Sequence, residues 1–327
     1  MKWLARRVGW AIFVVWATVS LAFVVSSILP ADPARMVAGQ QAPPAAVAKI
    51  REQLGLGMPK HVQYARFMRR LVHGASGTEH ATCATFGPVH VDLGRSYQQR
   101  RAVTTILAER APRTVLLGLA AALVQAALGL GAGIFAATRR RERADRATVT
   151  LALLGVSAPT FLVGLLLQWI FGVRLRVLPI NGYGDTLGAH LLGLVLPALT
   201  LGIFGAAYYT RIVRDEMIGE LGQDYVRTAR AKGGTRLGVL RHALRNALMP
   251  LVTVFGLELG ALVGGAVVTE TVFRWPGLGS LSVDAMLDRD GPLILGCVIV
   301  TSSAVVLANL VVDALYVVLD PRLRRAR

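Results

Sequence analysis

The chain has only two cysteines in 327 residues, so neither a disulfide framework nor a cysteine metal cage can organise it. Cys83 sits in a polar stretch and Cys297 in a long apolar run, which argues against a bond between them. Charge is scarce too, at 17% of residues against 54% hydrophobic. A single water-soluble core does not need that much apolar surface, and the balance points to lipid. Catalytic signatures are missing: there is no His-Glu-x-x-His pair for zinc, no Gly-x-Ser-x-Gly elbow and no glycine-rich phosphate loop ending in Lys-Ser/Thr. No catalytic or metal-binding residue is therefore assigned, and the chain is not expected to hydrolyse nucleotide itself. Acidic residues number 19 against 36 Lys and Arg, a formal net charge of +17. In a soluble protein that excess would suggest nucleic acid, but here its meaning depends on where it falls relative to the apolar runs.

Six runs are long enough to cross a bilayer core, which takes about 20 apolar residues in a helix. They span residues 8–29, 114–138, 147–173, 187–210, 249–272 and 292–319. Pro159 and Pro197 interrupt two of them, which a membrane interior tolerates when neighbouring helices satisfy the freed backbone groups. The first run, preceded by Lys2, Arg6 and Arg7, resembles a secretory signal, but it is too long and lacks a small-x-small cleavage site. It is read as a retained span.

Residues 1–10, 138–147, 211–250 and 320–327 hold 20 of the 36 Lys and Arg in short pieces on one side of the runs. The positive-inside rule places those pieces and both termini in the cytoplasm. The cluster Arg139, Arg140, Arg141, Arg143 and Arg146 is then a topological anchor, and no nucleic-acid partner is expected. Residues 1–29 form the tail and first span, 30–112 an external subdomain, 113–319 the membrane core with a cytoplasmic loop at 211–250, and 320–327 a basic tail.

Within the external segment, helices are expected at 44–53 and 61–71. His73, His80 and His90 lie there at spacings that fit no standard ligand pattern, so a solvated loop is favoured over a metal site. The 211–250 loop reads as two short amphipathic helices around a Gly233-Gly234 turn. Gly256, Gly260 and Gly264 recur every four residues and allow close helix packing, as do Gly129 and Gly133. Glu258 lies opposite that glycine face at 100° per residue. A charge facing lipid costs on the order of 3 kcal/mol, so Glu258 lines a pathway or is buried against a neighbour. Glu270 is the second pathway candidate.

The loop carries a resemblance. Asp224-Tyr225-Val226-Arg227-Thr228-Ala229-Arg230-Ala231-Lys232-Gly233, followed by Arg241-His242-Ala243-Leu244-Arg245-Asn246 through Pro250, resembles the cytoplasmic loop of binding-protein-dependent ABC importer permeases, in the dipeptide, oligopeptide and nickel branch. Arg227-Thr228-Ala229 stand where the family has Glu-Ala-Ala, and the stretch from Gly233 to His242 is one residue short of the family spacing. Leu29-Pro30-Ala31-Asp32-Pro33 with Leu54-Gly55-Leu56, Asp92-Leu93-Gly94-Arg95-Ser96, Thr269 to Gly279, and Asp313 to Arg322 are similar to further stretches of that branch. Residues 75–91 look like an insertion.

The resemblance implies an all-α type I ABC importer permease fold with six transmembrane helices and an external subdomain between helices 1 and 2, in a bacterial inner membrane. It implies a homologous second permease, two cytoplasmic ABC ATPases that hold ATP and Mg2+, and an external solute-binding protein. It also implies that Asp224, Tyr225, Arg227, Thr228, Ala229, Lys232, Gly233, His242, Arg245 and Asn246 couple to the ATPases. The implied solute is a di- or oligopeptide, with nickel or another small solute as the alternative within the branch. The rival outside it, a stand-alone secondary transporter or channel, predicts intramembrane charge relays and internal repeats. Only Glu258, Glu270 and Asp313 lie near or within the runs, and no repeat is evident.

Overall fold

The computed structural model describes residues 2–28, 33–39, 41–74, 82–86, 89–184 and 186–319. The first apolar run forms α1 (Lys2–Ile28). Three short helices follow: α2 (Pro33–Ala38), α3 (Pro44–Gln53) and α4 (Lys60–Leu71), the last two where the sequence places helices. Each starts directly after a proline in extended backbone, Pro43 or Pro59. The strands that follow were not foreseen: β1 (His73–Gly74), β2 (Cys83–Phe86) and β3 (Val89–Asp92) form an antiparallel sheet in the order β1-β3-β2. Its register pairs His73 with His90 and Cys83 with Asp92, while His80 lies outside the described residues.

Next, α5 (Val103–Thr138) begins eleven residues before the second apolar run, inside the segment read as external, and passes through Pro112. The third run departs from expectation. It is not one straight span but α6 (Arg143–Ser157) and α7 (Thr160–Leu167), the latter continued by a π-helix over Gln168–Arg174, with a 105° bend at the break. Ala158, forced toward extended backbone by the proline after it, sits at φ −76°, ψ 132°. By contrast α8 (Leu187–Leu221) carries Pro197 without breaking. A short α9 (Asp224–Ala231) leads into α10 (Arg236–Val272), whose second half is the fifth run. Then come α11 (Leu278–Leu287) and α12 (Gly291–Leu319), the sixth run. Among the described residues four helices, α1, α5, α8 and α12, are long and apolar enough to cross a membrane by themselves, and the bent pair makes a fifth span if counted as one.

The chain divides into two compact units. One comprises residues 1–114 and 276–306. Its core joins Val19, Leu71, Val103, Ile106, Leu281, Leu293 and Cys297. Polar side chains close it. Asp290, fully buried, accepts from the Ser96 hydroxyl at 2.5 Å and the Gln98 N–H at 3.2 Å, and caps α12 by accepting from the Leu293 N–H at 3.3 Å. Asp92 accepts from Arg70 at 2.9 Å and from the Gly94 N–H at 2.8 Å, and Gly94 takes the left-handed φ of +78° that this turn requires.

The other unit comprises residues 115–275 and 307–327. Here α5 and α8 meet through glycines on both helices. A Cβ at Gly129 would lie 2.8 Å from Tyr209 Cδ1, one at Gly133 2.6 Å from Val213 Cβ, and one at Gly202 2.5 Å from Val124 Cγ1. The Gly129/Gly133 spacing thus serves packing within the chain. Gly256 does the same against Val312, its would-be Cβ 2.9 Å from Cγ1. The side chains at 257–265, and with them Glu258 and the glycine positions 260 and 264, lie outside the described residues, as does the basic tail 320–327.

Candidate functional site

α8 continues helically eleven residues beyond its apolar run before Gly222 and Gln223 end it and α9 starts. Asp224 in the first turn of α9 complements the positive end of the helix. One face of α9 is anchored: Val226 is buried, with Tyr225 and Ala229 packed beside it, against Val213, Met217, Val239 and Ala243. Burying a valine is worth about 1.5–3 kcal/mol, enough to seat so short a helix. The other face, Asp224, Arg227, Thr228 and Arg230, is exposed. Along it Arg227 donates to Asp224 at 3.2 Å, and the Thr228 hydroxyl to the Asp224 carbonyl at 3.0 Å.

Two glycines end α9 for different reasons. Gly233 adopts φ +81°, its N–H bonding the Arg230 carbonyl at 3.0 Å, and the Gly234 N–H bonds the Ala229 carbonyl at 3.0 Å. This is the Schellman closure, whose first residue past the helix must be left-handed. At Gly234 a Cβ would sit 2.7 Å from the Ala229 carbonyl oxygen, so space rather than torsion requires glycine there. Thr235 then caps α10, its hydroxyl accepting from the Gly238 N–H at 3.2 Å. The expected second short helix is not a separate element. Residues 236–248 are the start of a 37-residue helix that continues into the fifth apolar run.

Three of the anticipated residues meet beside the turn, Tyr225 half-buried and His242 and Asn246 exposed. The Tyr225 hydroxyl donates to Glu220 at 2.5 Å, its ring meets His242 edge-to-face at 5.1 Å between centroids, and Asn246 hydrogen-bonds it. Burial, and then the bond to Glu220, push the phenol above its ordinary pKa. Arg227, Thr228, Lys232, Gly233 and Arg245 remain on the surface. Glu270 does not: it is wholly buried within the chain.

The sequence reading passed over the support beneath this surface. Asp145, in the first turn of α6, is 3% exposed and takes a two-pronged bond from Arg214 of α8 at 2.6 and 2.9 Å, with the Arg141 N–H at 3.0 Å. An arginine in the polar extension of an apolar helix, opposite an acid set within an arginine cluster, is the signal that could have found it. Gln168 was also missed. It is nearly buried where the π-helix begins and donates to the Ile180 carbonyl at 2.9 Å.

The family described as binding-protein-dependent transport system inner membrane component matches residues 129–325, and its N-terminal counterpart matches residues 1–118. The chain belongs to this family. Among its relatives, the glutathione transport system permease protein GsiC of Salmonella paratyphi A is 40% identical over 93% of this chain and 92% of that protein. A Brucella abortus protein assigned to a peptide transport system as its permease is 39% identical over 98% of both chains. The MetNI methionine ABC transporter, solved in inward-facing form, shares the fold with a TM-score of 0.56 at 16% identity, over 66% of this chain and 97% of that one. This permease is thus a multi-pass inner-membrane subunit of an ABC importer with the type I fold, a transport subunit and not an enzyme, and it works with ATPase and solute-binding partners.

Proposed function

We propose that this permease pairs with a homologous second permease to enclose a pathway for small peptides of about glutathione size, and that two ATPases seat on residues 224–246. The names of the relatives, glutathione and peptide transport permeases, support the substrate class. ATP and Mg2+ bind the ATPase subunits and none is held here. Both termini and the 211–250 segment face the cytoplasm, as the distribution of basic residues favours.

The observation that carries the reading is the two-faced α9, fixed to the core through Val226 and presenting a polar face, with one tight turn joining it to a helix that runs on into an apolar span. A displacement imposed on that face has a continuous route to the membrane core, as rigid-body switching requires. Gly233→Val tests it, because the site is spacious but left-handed. The variant should insert and assemble normally yet lose solute-stimulated ATP hydrolysis. Wild-type stimulation would overturn the assignment.

Glu258 belongs to the same proposal, lining the pathway and favouring the cationic amino end of a peptide. Glu258→Leu should impair uptake at equal complex yield, and Glu258→Gln should keep uptake with less preference for cationic solutes. Unchanged uptake and selectivity in Glu258→Leu would leave packing as its role.

A further inference from the structure

α4 has one side spent on the fold and the other left in solvent. Phe67, Met68 and Leu71 join the core of the first unit, and the Tyr64 hydroxyl lies 2.6 Å from that of Ser20 on α1. The Phe23 ring adds contacts at 5.4 Å to Tyr64 and 5.5 Å to Phe67, between centroids. The far side carries Lys60, Arg66, Arg69 and Arg70, all exposed. Arg70 is bound to Asp92, but among the described residues no ion pair involves Lys60, Arg66 or Arg69. Arg66 stands one turn from both Arg69 and Arg70, so like charges crowd a single flank, which an isolated helix disfavours. No acid on α4 offsets them, and over residues 44–71 six Lys and Arg stand against the single acid Glu52.

Topology gives no reason for this charge. Lys and Arg gather on the cytoplasmic side to fix a membrane protein's orientation, and with the N-terminus cytoplasmic as proposed, the single span of α1 sets α4 on the other side. We propose that the basic face of α4 is the docking surface for the solute-binding protein on which this family depends, met by a patch of carboxylates on that protein. Small solutes bind in clefts that bury most of their surface, which an exposed helix face does not supply. The packed side of α4 holds the charges in place, so their field points at an arriving acidic surface rather than averaging out. Being solvent-exposed, they act on the rate of encounter more than on the lifetime of the complex. The inference rests on the proposed sidedness and adds where the binding protein arrives and by what force.

Surface plasmon resonance tests it, with the whole transporter held in phosphatidylcholine nanodiscs and the solute-binding protein of the same system in the flow. Wild-type kon should fall steeply as salt rises. Arg66→Gln with Arg69→Gln should lower kon about 10-fold at low salt, leave koff near its wild-type value and flatten the salt dependence. Arg66→Lys with Arg69→Lys should keep kon, which separates charge from folding. Arg143→Gln with Arg146→Gln removes equal charge from the other unit and should leave kon unchanged. Equal kon in the α4 glutamine variant and wild type, or an equal fall in the Arg143 and Arg146 control, would overturn the docking face. A difference between variant and wild type that emerges only in nanodiscs containing phosphatidylglycerol would assign the face to lipid headgroups and overturn it too. Ala65→Cys on the exposed side of α4, in a Cys83→Ser background, keeps this inference apart from the sidedness beneath it. Labelling by a membrane-impermeant thiol reagent on spheroplasts, with unchanged kon, removes this inference alone, whereas labelling only after disruption removes both.

Discussion

Two turns in this permease use a left-handed glycine and polar neighbours, and they spend those neighbours in opposite ways. In the turn at residues 92–96 the side chains of Asp92, Leu93 and Ser96 point inward. Asp92, Ser96 and the facing Asp290 are buried, and all are hydrogen-bonded to one another's neighbourhood. At 224–234 they point outward, the side chains of Asp224 and Arg227 being 94% and 76% exposed. Hydrogen bonds closed away from water return stability to the chain itself, whereas groups left in solvent add little to folding and stay available to another surface. The first turn is therefore closed within the chain, and the second leaves its polar groups to solvent or to the partner proposed for it.

Breaking the closed turn should have the largest effect. Asp290→Ala strands the Ser96 hydroxyl and the Gln98 N–H and removes the cap of α12, an expected loss of about 3 kcal/mol. A thermal melt of the solubilised protein would register it as a clear fall in Tm, and an unchanged Tm would show that the closure is not what stabilises the unit. Asp92→Asn should cost less and change how stability responds to acid. Burial alone would raise the Asp92 pKa, but the bonds from Arg70 and the Gly94 N–H outweigh it and hold the carboxyl below its ordinary range. A carboxyl depressed on folding adds stability above its unfolded pKa near 4 and loses it as pH falls through the folded value. Melts at pH 7 and in acid should therefore converge for wild type and Asp92→Asn as pH drops, and a constant gap would contradict the ion pair. Smallest in stability, and sharpest for the comparison, is Arg227→Ala. Its Tm should stay at the wild-type value while ATPase recovered with the permease falls, and a drop in Tm with intact recovery would reverse the contrast.

How much of this was legible in the sequence follows the range of the forces involved. The apolar runs mark the spans because lipid acts on every residue of a run, and Gly233 marks its turn because left-handed backbone is a local demand. Pro159 and Pro197 were not separable by inspection: both interrupt an apolar run, but only Pro159 breaks its helix. The strands pair residues 73–74 with 89–90, a register that no short-range pattern encodes. Asp290-Gly291-Pro292, an acid just ahead of an apolar run with proline near its start, is a helix-start signal that was present and unread, although its partner Ser96 lies 194 residues away. Tyr225 and His242 were named from the resemblance, but their edge-to-face contact depends on α9 folding back against α10.

The unbroken course of α10 has a consequence of scale. Thirty-seven residues at 1.5 Å each make a rod about 55 Å long, from Thr235 at the turn to the far end of the span. Tilting such a rod by about 5° about one end swings the other by about 5 Å, roughly one helical turn. If an ATPase seats on α9 as proposed, a slight shift of that helix would open or shut a gap the size of a side chain at the opposite end of α10, with leverage standing in for any large local rearrangement.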